Sequence, residues 1–186
     1  MSEPTPCLFI PLLHSTLSPL FFFPSKMESS KWEGSLEIPL AAPPERVWEI
    51  GSDFCELKRW YPALEICERV EGTSEQGPGC VRYCASASSS SSEGLLWVKE
   101  KLISLDSSSH SYTYVVTDGN MEGMEGYQAT FRVVEDQEQQ GKCLVKWNFE
   151  LNPIQGYSQQ DFVAYLTSLL ADITKTLEEV ASASLE

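Results

Sequence analysis

SQQDFVAYLTSLLADITKTLEEVASA, Ser158 to Ala183, is the stretch on which the fold turns. Phe162, Tyr165, Leu166, Leu169, Ile173, Leu177 and Val180 recur every three or four residues. That spacing predicts a long amphipathic helix over about 160–182. A helix with one apolar stripe must bury it against another element. The preceding chain supplies the partner. GLLWVKEKLISLD (94–106), SYTYVVTD (111–118), GYQATFRVVED (126–136) and KCLVKWNFELNP (142–153) read as strands separated by turn residues. In the last two, Tyr127, Ala129, Phe131 and Val133 share one face, as do Cys143, Val145, Trp147 and Phe149.

Further upstream, KWEGSLEIPL (31–40) reads as a first strand, ended by AAPPERVWEI, where Pro43 and Pro44 suit a helix start. SDFCELKRWYPAL (52–64) predicts a second short helix, capped by Ser52 or Asp53 and closed before Pro62. LEICERVEG (64–72) and GPGCVRYCAS (77–86) are two more strands, the second running into the serine-rich ASASSSSSEG (85–94), expected to be a flexible loop. The order is strand, two short helices, a run of antiparallel strands, one long helix. An α+β fold follows, with a curved antiparallel sheet laid around the C-terminal helix, an arrangement that leaves room for a cavity.

Composition narrows the function. The chain has 186 residues, enough for one domain with a sizeable core. Thirteen Lys and Arg against 27 Asp and Glu give a net charge of −14, which repels phosphate backbones and anionic lipid. Nucleic acid is therefore not an expected partner. The only histidines, His14 and His110, are too few and too ill-placed for a Ser-His-Asp triad or a His-based zinc site. Six cysteines contain no CxxC pair, so no metal site and no cofactor are expected. Cys80 and Cys84 stand roughly 13 Å apart along one strand, too far for a bridge. Reduced, half-buried thiols and a cytoplasmic location are the plain expectation.

Residues 1–26 differ from the rest. CLFIPLLHSTLSPLFFFPS is apolar but broken by Pro11, Pro19 and Pro24, and no basic segment precedes it. It is too interrupted for a membrane span. Met27 begins a hydrophilic lead that resembles a natural start. The expected division is an N-terminal extension at 1–26, disordered or non-native, and a single domain at 27–186. Should the extension be a targeting segment, plastid or vacuole would replace the cytoplasm.

The strand at 94–106 poses a sharper question. Leu96, Val98, Glu100 and Leu102 fall on one face, and Trp97, Lys99, Lys101 and Ile103 on the other. The lysines mark the wet face, so Glu100 lies in the middle of the apolar one. An unpartnered buried carboxylate costs several kcal/mol, about what burying a charge without compensation demands. It must be paired, protonated or facing a polar cavity. Arg82, in phase with Cys80 and Cys84, is placed to meet it. Two readings stay open on these residues alone: an ion pair stitching two strands, or a functional pair.

From about Lys31 to Ala183 the chain resembles plant lachrymatory-factor synthases, within the superfamily of START, birch-pollen-allergen and polyketide-cyclase-like helix-grip proteins. The resemblance rests on KWEG, PPERVW, SDFCELKRWYPALEICERVEG, GCVRYC, WVKEKLISLD, SYTYVVT, GYQAT and the strand around Trp147. It implies a helix-grip fold and a catalytic pair at Arg82 and Glu100. It also implies a pocket wall at Tyr114 and Tyr127. Trp147 is grouped with them as a substrate-binding residue, the alternative being that it packs under the helix as core. The implied reaction is a proton transfer that turns an alkenyl sulfenic acid into a thial S-oxide. Arg82 would hold the sulfenate oxygen and Glu100 would relay its proton to the distal alkene carbon. The serine run departs from the family's bulkier, more acidic loop.

A monomer is expected on either reading. The competing reading is a non-catalytic carrier of a small hydrophobic ligand of lipid or polyketide type. A hormone receptor of the abscisic-acid kind ranks last. Its gate SGLPA and latch HRL are replaced here by CASASSSSSEG and NMEGMEG.

Overall fold

The apolar–polar alternation of the strands organises a computed structural model that describes residues 30–72, 76–87 and 94–183. The expectations for residues 1–26 and for the serine run at 88–92 lie outside the described residues. Strand β1 (Trp32–Leu40) is followed by helix α1 (Pro44–Gly51) and a 3-10 turn (Phe54–Arg59). Then come β2 (Ile66–Glu71), β3 (Val81–Ala87), β4 (Leu95–Asp106), β5 (Ser111–Gly119), β6 (Gln128–Glu135), β7 (Cys143–Leu151) and the long helix α2 (Gln159–Ala183). The strands make one seven-stranded antiparallel sheet in the order β1-β7-β6-β5-β4-β3-β2. This is the helix-grip arrangement, with β1 and β2 at its two edges.

Register sends one side of each strand inward. Cys143, Val145, Trp147, Phe149 and Leu151 on β7 are buried, as are Ala129, Phe131 and Val133 on β6. Gly34 on β1 pairs with Phe149, and a Cβ at Gly34 would lie 2.5 Å from the Phe149 ring. The missing side chain lets that ring lie across β1, where it also meets Phe162 of α2 at 5.4 Å between centroids.

The long helix covers this face. Its buried residues are Phe162, Leu166, Leu170, Ile173, Thr174, Leu177 and Ala181. The stripe is thus rotated from the one expected: Tyr165, Leu169 and Val180 are only half-buried, flanking it. Thr174 escapes a periodicity count because it is polar. Its hydroxyl is satisfied within the helix, donating to the Leu170 carbonyl at 2.6 Å.

The second short helix is present at Phe54–Arg59, but the cap expected for it is corrected. The helix is a 3-10 turn, with Glu56 at φ −104° and ψ 28°, and neither Ser52 nor Asp53 caps it through a side chain. Its leading N–H, on Phe54, is met instead by Gln76 Oε1 at 2.7 Å, and Gln76 Nε2 donates to the Ser52 carbonyl. A side chain from 22 residues downstream replaces the local cap. Among the described residues, no helix is long and apolar enough to cross a membrane.

Candidate functional site

Glu100 owes its position to β4. The strand bulges against β5 at two places, between Lys99 and Glu100 and between Leu102 and Ser104. Between them Glu100 and Leu102 keep the inward face expected for them, while Lys101 and Ile103 stay outside. β3 then places Arg82 directly opposite Glu100. Arg82 Nε donates to Glu100 Oε2 at 2.6 Å, with Arg82 only 1% exposed and Glu100 8%.

The rest of the guanidinium is wrapped. Its Nη1 donates to the Phe54 carbonyl, and its Cζ lies 3.9 Å from the centre of the Phe54 ring and 5.4 Å from that of Tyr114. Cation–π contacts and a charged partner together offset desolvation of the cation. Burial, the largest single influence, works against the charged form of Arg82, but Glu100 together with Cys84, Tyr112 and Tyr114 outweighs it and holds the arginine pKa well above its ordinary value. The 3-10 turn, pinned by Gln76, is what brings the Phe54 carbonyl and ring over Arg82.

Tyr114, Tyr127 and Trp147 form a second cluster beside this pair. Tyr114 meets Tyr127 at 6.3 Å and Trp147 at 6.2 Å, both edge-on. Trp147 Nε1 donates to the Tyr127 hydroxyl at 3.0 Å, and all three residues are buried. The two tyrosines expected along a pocket wall therefore pack against each other and against the Trp147 ring. Burial raises the pKa of both phenols, so they remain protonated across the ordinary pH range.

Two members of the site have no place in the sequence reading. Phe54 contributes a backbone carbonyl, for which no side-chain pattern exists. Tyr112 lies two residues before Tyr114 on the same face of β5 and is 1% exposed. The period-two spacing of SYTY was its signal. Tyr112 stacks with Phe131 at 5.0 Å and meets Phe54 edge-on at 5.8 Å.

Chemically, the site offers a desolvated cation and a carboxylate side by side, enclosed by aromatic rings. The cation suits an anionic or strongly polar oxygen, and the carboxylate suits acceptance and return of a proton. Among the described residues, no group of three or more His, Cys, Asp or Glu side chains is placed to hold a metal ion.

The chain belongs to the family described as polyketide cyclase / dehydrase and lipid transport, which it matches over residues 31–183. Solved structures of similar fold include Ara h 8.0201, at 18% identity and a TM-score of 0.67, covering 83% of this chain and 99% of that one. XoxI from Bacillus cereus matches at 19% identity and a TM-score of 0.64, covering 83% and 98%. At these identities the likeness is one of fold. The family makes this a ligand-binding protein of the polyketide cyclase / dehydrase and lipid transport class, and the solved neighbours agree with it in fold.

Proposed function

We propose that this chain is an isomerase of lachrymatory-factor-synthase type, converting an alkenyl sulfenic acid into a thial S-oxide. The observation that carries the reading is the buried ion pair of Arg82 and Glu100 at 2.6 Å, set among aromatic side chains. Arg82 would hold the substrate's sulfenate oxygen as negative charge builds there. Glu100 would take the proton from the S–O–H group and deliver it to the alkene carbon farther from sulfur. The O–H bond breaks, a C–H bond forms, and the carbon–carbon double bond is exchanged for a carbon–sulfur one. Nothing is oxidised or reduced overall, so the pair alone accounts for the proton traffic, and no cofactor enters the scheme.

The test supplies the sulfenic acid in situ, from an alkenyl cysteine sulfoxide and its lyase, and follows the thial S-oxide. Appearance of that product only when this protein is present supports the reading. Only thiosulfinate, the product of uncatalysed sulfenic acid condensation, would count against it.

A second reading is favoured by the lipid-transport element of the family description and by the mutual packing of Tyr114, Tyr127 and Trp147. In it the chain is a carrier of a small hydrophobic ligand, with Arg82 anchoring an acid or carbonyl oxygen. Native mass spectrometry of the purified protein separates the two, because a carrier retains its ligand and an isomerase releases its product.

A further inference from the structure

The five cysteines of the described residues are all free, and four of them stand in two close pairs, one of which, Cys67 and Cys84, lies beside Arg82. Cys67 on β2 and Cys84 on β3 are direct partners across the two strands, with their sulfurs 3.7 Å apart. Cys55 and Cys80 form a second pair at 3.4 Å. Proximity alone favours the second pair, but Cys55 and Cys80 are both buried, whereas Cys67 is half-buried and open to a small reagent.

We propose that Cys67 and Cys84 form an intrachain disulfide across β2 and β3 when the protein meets a hydroperoxide. The mechanism follows from which thiol ionises. The hydrogen bond from Cys84 lowers the Cys67 pKa, burial opposes it, and Arg82 and the backbone N–H groups of Lys58 and Leu57 add to the lowering, leaving it about 7. Cys55 is pushed the other way by burial, to about 11. Cys67 is therefore the attacking thiol, giving up the S–H it donates to the Cys55 carbonyl at 3.1 Å, and Cys84 is the resolving thiol.

In the first step Cys67 sulfur attacks the hydroperoxide. An S–O bond forms, the O–O bond breaks, and the departing alkoxide takes a proton and leaves as an alcohol. In the second, Cys84 sulfur attacks the Cys67 sulfenic acid. The S–S bond forms, the S–O bond breaks, and hydroxide leaves as water with the Cys84 proton. Two thiols lose two electrons and two protons, and the hydroperoxide is reduced to alcohol and water. The sulfur of Cys84 also lies 3.9 Å from Glu100 Oε2, so the bridge forms at the edge of the candidate site itself.

The test treats the full chain with a small molar excess of hydrogen peroxide, blocks remaining thiols with N-ethylmaleimide and maps the non-reduced digest by mass spectrometry. The first product should be a peptide linked through Cys67 and Cys84, with the loss of two blockable thiols reversed by dithiothreitol. Cys84→Ser should stop at a sulfenic acid on Cys67 that dimedone captures, and Cys55→Ser should leave the link intact. A Cys55–Cys80 link appearing first, links only between chains, or thiol loss in Cys67→Ser equal to wild type would overturn the proposal.

Discussion

Arg82 and Glu100 face each other across β3 and β4, joined through Nε and Oε2 at 2.6 Å, and both are buried. A pair this desolvated gains little over well-packed apolar residues, yet losing one member is costly. Arg82→Leu should therefore destabilise the fold by about 3–5 kcal/mol, because Glu100 is left as a buried carboxylate without its cation. Arg82→Leu with Glu100→Leu should recover most of that loss. Urea unfolding of both single variants and the double variant measures the coupling. A double variant no more stable than Arg82→Leu would mean that the two side chains are not linked as described.

The grip of the long helix makes a separate expectation. Leu170 is 1% exposed and Leu169, its neighbour in sequence, is half-buried. Leu170→Ala should cost about 2–5 kcal/mol, the range for emptying a sealed leucine site. Leu169→Ala should cost clearly less. Equal losses in denaturant titrations would mean that the helix is rotated from the face described.

Trp147 and Tyr127 share a buried hydrogen bond of 3.0 Å. Trp147→Phe removes the donor, leaves the phenol short of a partner and opens space beside Tyr114. About 1–3 kcal/mol should be lost through the hydrogen bond alone, with a further cavity contribution. Thermal unfolding checks this, and a variant as stable as the parent would contradict the packing.

Much of this was legible in the sequence because it is local. A stripe from Phe162 to Leu177 and the alternation of Tyr127 to Val133 depend only on helix and strand periods, so both elements were readable from spacing. Glu100 stood out because a carboxylate broke an apolar face. What stayed hidden depends on register and long-range approach. Gln76 takes the place of a local cap on the 3-10 turn, the Phe54 carbonyl reaches Arg82, and Cys67 comes opposite Cys84 only once β2 pairs with β3. Thr174 is hidden from a periodicity count for a different reason: a polar residue satisfied within its own helix is packed like an apolar one.

The measurement that bears most directly on the central claim is turnover by Glu100→Gln. The amide is nearly isosteric with the carboxylate, and its oxygen can still accept a hydrogen bond from Arg82 Nε, so a folded protein with most of its ligand affinity is expected. It cannot accept and return a proton, and loss of a general acid–base group typically costs about 10²–10⁴-fold in rate. In the coupled assay with an alkenyl cysteine sulfoxide and its lyase, formation of thial S-oxide should fall by that factor while the melting curve remains cooperative. A folded Glu100→Gln protein with undiminished turnover would contradict the assignment of Glu100 as the proton carrier.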